Sequence, residues 1–111
     1  MSIRQEKVGN LLKRELSEIL RVEGGNITNR KMVTVTTVRP SPDLGFAKIY
    51  VSIFPSIDSD EDVKALRSRS SFIRGLLGKK VGKQLRVVPE IAFYLDDSLD
   101  YAQRINDLLD Q

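Results

Sequence analysis

Eight cations fall between Lys64 and Arg86 without one acidic residue among them: Lys64, Arg67, Arg69, Arg74, Lys79, Lys80, Lys83 and Arg86. The segment that follows, Glu90 to Gln111, holds six carboxylates against a single cation, Arg104. A net charge of +3 therefore hides a strongly dipolar chain. A concentrated positive field attracts polyanions, and release of condensed counterions makes phosphate backbones its natural partner. The bland alternative is a solvated helix face. Such a face interleaves signs, as Arg14 and Glu18 do earlier in the chain, whereas this run repels itself until a partner offsets it.

Inside the run, Ser71, Gly75, Gly78 and Gly82 fall within about 60° of one another on a helical wheel. Glycine within a helix costs roughly 0.5–1 kcal/mol relative to alanine, so three on one face need a reason. One is a bare surface on which a phosphodiester backbone lies close, flanked by Arg74 and Lys79; the other is tight packing of a strand or helix. Both remain open. Gly75-Leu76-Leu77-Gly78 matches the Gly-x-x-Gly loop of KH domains by letter, but that loop exposes its middle residues and two leucines belong in a core. Gly78 to Gln84 lacks the spacing and the hydroxyl residue of a phosphate-binding P-loop. Asp96, Asp97 and Asp100 precede an apolar periodic segment, the place of a helix cap rather than a metal or acid–base cluster. Tyr50 and Tyr94 lie off the aliphatic faces of their strands, where they can stack on bases or cover a second side of the sheet.

These residues must be positioned by a small set of elements. Val8, Leu11, Leu12, Leu16, Ile19 and Leu20 predict a helix from Ile3 to Arg21, opened by a Ser2/Gln5 capping box and ended by Gly24-Gly25. Met32 to Val38 is a β-branched run, and Phe46 to Phe54 alternates with Ala47, Ile49, Val51 and Ile53 on one face. Pro40, Pro42, Asp43 and Gly45 join them as a hairpin. After a loop at 55–59, a helical pattern extends from Asp60 to Leu85. Ser68-Arg69-Ser70-Ser71 should break it in two, because serine competes for backbone hydrogen bonds. Pro89 ends the region, Ile91 to Leu95 is a third strand, and a last helix follows Ser98 with Leu99, Ala102, Ile105 and Leu109 inward. An α+β layer with helices on one face of a small sheet satisfies this order.

A chain of 111 residues is expected to form one domain. It has no histidine and no cysteine, which removes disulfides, thiolate chemistry, Cys/His zinc sites and the commonest general base. The charged start is unlike a signal peptide, and no apolar run approaches the roughly 18 residues of a membrane span. A cytoplasmic monomer without cofactor or membrane association is the expectation.

Ser71-Phe72-Ile73-Arg74-Gly75-Leu76-Leu77-Gly78, then Leu85-Arg86-Val87-Val88-Pro89-Glu90-Ile91-Ala92-Phe93 and Asp96-Asp97-Ser98-Leu99, resemble the ribosome-binding factor A family. Val33-Thr34-Val35-Thr36 with Pro42-Asp43-Leu44 and Ala47 to Ser52 are similar to its hairpin, and Lys7 to Leu20 to its first helix. The resemblance implies a type II KH-like fold with three strands, helices on one side, and a kinked helix pair where an ordinary KH domain has its Gly-x-x-Gly loop. It also implies a non-catalytic factor, bacterial or organellar, that binds the immature small (30S) ribosomal subunit late in maturation, contacts rRNA near its 5′ end and decoding region, leaves before translation, and matters most in the cold. Two departures stand out. The family's Ala-x-Gly kink reads Arg69-Ser70-Ser71 here, and the polar C-terminal tail of some members is not expected after Gln111.

The expected RNA-binding residues are Arg67, Arg69, Arg74, Lys79, Lys80, Lys83 and Arg86, extended by Arg4 and Lys7, with Ser70, Ser71, Gly75, Gly78 and Gly82 forming the kink and the close-approach surface. Phosphate contacts would supply affinity and RNA shape the specificity. The alternatives are a basic module that docks an acidic protein, or a generic KH-type nucleic-acid binder.

Overall fold

Ser2 opens the first helix, α1 (Ile3–Ile27), as expected. Its hydroxyl accepts from the Gln5 amide, and the Gln5 side chain accepts from the Ser2 amide in return. The other end differs from expectation. The helix does not stop at Gly24-Gly25 but runs through both. Gly24 is buried against β1 (Met32–Pro40), and a Cβ there would lie 3.3 Å from Val33 side-chain atoms. This glycine admits a strand rather than ending a helix. The stop comes at Thr28, whose amide and hydroxyl both donate to the Gly24 carbonyl, followed by left-handed Asn29 and Arg30.

The computed structural model describes residues 2–96. After β1 come β2 (Phe46–Phe54), α2 (Ser59–Ser68), α3 (Ser70–Val81) and β3 (Glu90–Leu95). The expected last helix, with Asp97 and Asp100, lies outside the described residues. Strand order is β1-β2-β3; the first pair is antiparallel and the second parallel. A bulge at Thr36 shifts the register so that Thr37 faces Tyr50. In the hairpin turn the Ser41 hydroxyl and the Gly45 amide donate to Asp43 and hold its carboxyl below the usual carboxylate range.

Alternation along the strands delivers Val33, Val35, Val38, Ala47, Ile49, Val51, Ile53, Ile91 and Phe93 to one face. All three helices cover that face with Leu12, Leu16, Leu20, Leu66, Ile73, Leu77 and Val81. Each such burial stabilises by about 1.5–3 kcal/mol before entropy is counted. The arrangement is the α+β, KH-like layer expected, with the kinked helix pair before the third strand. Lys31 Nζ lies 2.7 Å from Asp62 Oδ2 in a largely buried ion pair, tying the start of α2 to the start of β1. The break between α2 and α3 falls at Arg69, where the serine cluster predicts it. The helical pattern ends at Val81 rather than Leu85: residues 82–84 form a turn, and Leu85 folds back onto the core.

Candidate nucleic-acid interface

Ile73, Leu77 and Val81 anchor α3 in the core. The opposite stripe must then carry Ser71, Phe72, Gly75 and Lys79, all exposed, with Lys83 in the turn beyond. The three glycines differ in their surroundings, and none of them admits a closely packed strand or second helix. Nothing lies within 4 Å of a Cβ built on Gly75, and a Cβ on Gly78 would meet only Val88 at 3.7 Å. The face is bare and exposed at Gly75 and half-buried at Gly78. At Gly82 a Cβ would sit 2.7 Å from the Gly78 carbonyl oxygen, so here the chain's own turn demands glycine. Ser70 is half-buried at the kink and Ser71 exposed beside it. The Gly75–Gly78 segment lies inside α3, with Leu77 buried and Leu76 packed on the core; it forms no exposed loop.

The cations separate into groups that the sequence treats as one. Arg69, Lys79 and Lys83 are exposed along or at the ends of the α3 stripe. Arg4 and Arg86 line one groove together with Asp43, Leu44, Gly45 and Pro89, and Lys7 is exposed on the next turn of α1. Arg74 is anchored instead: its Nε donates to the Pro89 carbonyl at 3.1 Å and Nη2 to the Val88 carbonyl at 2.7 Å. Those bonds use two of the five guanidinium N–H donors. Lys80 leans toward Glu15 of α1 at 3.9 Å, and Lys64 pairs with Glu61 at 3.3 Å. Arg67 turns to the sheet, donating from Nε to the Phe93 carbonyl at 2.8 Å. Lys79 and Lys80 also stand in the last turn of α3, where the helix dipole favours positive charge and relieves part of the run's self-repulsion.

Such a surface can bind anions. Among the described residues no cluster of three or more acidic side chains could hold a metal ion, and no helix is long and apolar enough to cross a membrane.

The sequence profile of ribosome-binding factor A matches residues 4–109. The chain belongs to the ribosome-binding factor A family. It is 40% identical to the ribosome-binding factor A of Cytophaga hutchinsonii, over 97% of this chain and 81% of that protein. To that of Chlorobaculum parvum it is 41% identical, over 98% and 90%. The crystal structure of ribosome-binding factor A from Thermus thermophilus superposes with a TM-score of 0.69 at 23% identity, covering 82% of this chain and 94% of that one. A homology model of Thermus thermophilus ribosome-binding factor A, fitted into the cryo-EM map of a 30S complex, gives a TM-score of 0.64 at 24% identity, covering 80% and 91%.

In this family member, sequence reasoning gives Phe72 no role, yet its ring is exposed in the middle of the basic stripe with the Arg69 guanidinium 4.8 Å from its centroid. The signal is present in the wheel: a large aromatic residue on the side opposite Ile73 and Leu77 has no core to enter.

Proposed function

We propose that this chain is a non-catalytic assembly factor. It binds the immature small ribosomal subunit through its rRNA, promotes late maturation and rRNA processing, and acts as a single-domain monomer in the cytoplasm. The observation that carries the reading is the α3 stripe, where Gly75 leaves open backbone between Arg69 and Phe72 on one side and Lys79 and Lys83 on the other. A phosphodiester strand can approach that backbone without meeting a side chain, and the cations around it neutralise phosphates with release of counterions. Arg4 and Arg86 extend the same field across their groove. Family membership and the 30S complex of the Thermus relative support the subunit as the target.

The test is co-sedimentation with immature and mature small subunits across a salt series, with Lys79→Glu/Lys83→Glu run beside the unaltered chain. Preferential binding to immature subunits, weakened by salt and lost in the variant, is expected. Binding that survives the variant unchanged would overturn the surface. Failure to bind either pool at moderate salt, with retention of an acidic protein partner, would establish protein docking instead.

A further inference from the structure

The face of the sheet opposite the helices carries a second cationic surface, built differently. Its side chains include Thr34, Thr37 and Arg39 on β1, Lys48, Tyr50 and Ser52 on β2, and Ala92 and Tyr94 on β3, with Met32 and Phe54 paired at one end. Every described helix packs on the other face. Tyr50 and Tyr94 stand in register on neighbouring strands, ring centroids 5.6 Å apart and planes inclined by 32°. Three cations converge on them: Arg39 at 5.8 Å from the Tyr50 ring, and Lys48 at 5.8 Å and Arg67 at 5.2 Å from the Tyr94 ring. Arg67 comes from α2, around the β3 edge, and its bond to the Phe93 carbonyl holds it there. Among the described residues none of the three cations forms an ion pair. Among the described residues the carboxylates of this face are Glu90 and Asp96, toward the two ends of β3, and Asp96 accepts from the Thr36 hydroxyl.

We infer that this sheet face, which no described helix covers, is a second RNA contact: Tyr50 and Tyr94 form a platform that stacks unpaired bases, while Arg39, Lys48 and Arg67 hold the phosphates between them. The chemistry selects this ligand over the alternatives. The centre of the face is aromatic and hydroxylated; its exposed apolar side chains, Met32 and Phe54, pair at the far end of the β1–β2 hairpin, away from the two tyrosine rings. Three cations around two rings repel one another, and an anionic ligand offsets that repulsion. A nucleotide alone combines a flat π-face for the tyrosines with a negative linker for the cations. The inference shares with the proposed function the premise that the ligand is RNA, but it concerns unpaired bases and a different surface.

The test uses the whole chain and an oligoadenylate of about twelve nucleotides, within the range that single-strand-binding folds occupy. An abasic strand of the same length carries equal charge without bases. With no tryptophan in the chain and three tyrosines, Tyr50, Tyr94 and Tyr101, quenching of tyrosine emission in Tyr101→Phe reports stacking on the platform. Oligoadenylate should quench that emission and bind about tenfold or more tighter than the abasic strand. Read by anisotropy of end-labelled strands, since these variants lack the reporting rings, Tyr50→Leu/Tyr94→Leu should lose that difference, whereas Tyr50→Phe/Tyr94→Phe should keep it. Lys48→Glu leaves both rings in place and should weaken oligoadenylate binding even if the leucine variant folds poorly. Equal affinity for the two strands, or unchanged binding in Lys48→Glu, overturns the platform. Polyglutamate binding as tightly as oligoadenylate overturns it in favour of an acidic peptide. Lys79→Glu/Lys83→Glu separates the two surfaces: loss of subunit binding with base-dependent quenching retained leaves this inference standing whatever becomes of the other.

Discussion

The α3 stripe and the tyrosine-bearing sheet face are both cationic, but they hold their charges in opposite ways. On the stripe, Lys79 and Lys83 stand free on long stems beside bare backbone at Gly75. On the sheet, Arg39, Lys48 and Arg67 lie against tyrosine rings, and Arg67 is also bonded to a carbonyl. On the proposed reading, exposed ammonium groups over a smooth surface accommodate many phosphate geometries and supply affinity. Cations fixed around paired rings accept only a ligand with a flat face at the right place. The difference teaches that one count of basic residues can conceal two recognition modes, one reading charge and the other reading shape.

The comparison breaks most completely at Phe93, whose side chain is fully buried beneath both surfaces and whose carbonyl anchors Arg67. Phe93→Ala removes a large core side chain and should cost about 3–5 kcal/mol, read as a shift in the urea midpoint. Both surfaces should then fail together: salt-dependent subunit binding and base-dependent quenching decline along the same unfolding curve. Separate transitions would mean that the two surfaces do not rest on a common core.

Arg74 sharpens the division. Its two carbonyl bonds at Val88 and Pro89 assign it to holding the α3–β3 connection. Arg74→Met keeps the apolar stem and strands those carbonyls, so it should cost roughly 1–3 kcal/mol of stability, measured by denaturant unfolding. Subunit affinity should fall less than in Lys79→Glu/Lys83→Glu. A variant of unchanged stability that no longer binds would make Arg74 a phosphate ligand first.

Arg74 also marks where the sequence stops being legible. Elements defined by local rules are readable: the Ser2–Gln5 box needs residues three apart, the strands declare themselves by alternation, and the break at Arg69 follows from neighbouring serines. Ends decided by tertiary contact are not. Gly24 resembles a helix terminator until Val33 is known to lie against it, and the apolar Leu85 extends the predicted helix through a turn that begins at Gly82. The same holds for the interface. The basic run is plain in the sequence, but its partition is not, because Arg74 meets carbonyls 14 and 15 residues away, Arg67 one 26 away, and Lys80 a glutamate on α1.

The smallest expected change gives the finest test. Gly75 has open space where a side chain would be, so Gly75→Ala meets no clash and relieves the entropic cost of glycine in a helix. It should raise stability by about 0.5–1 kcal/mol, seen as a higher urea midpoint. If the stripe works by close approach of a phosphodiester backbone, the added methyl group should weaken subunit binding in a protein that is more stable than before. Base-dependent quenching on the sheet should not change. Gly82→Ala is the control of opposite sign, since its methyl would strike the Gly78 carbonyl and destabilise the chain. A Gly75→Ala protein that gains stability and binds subunits as before would show that the bare backbone is incidental, and that the stripe acts through its cations alone.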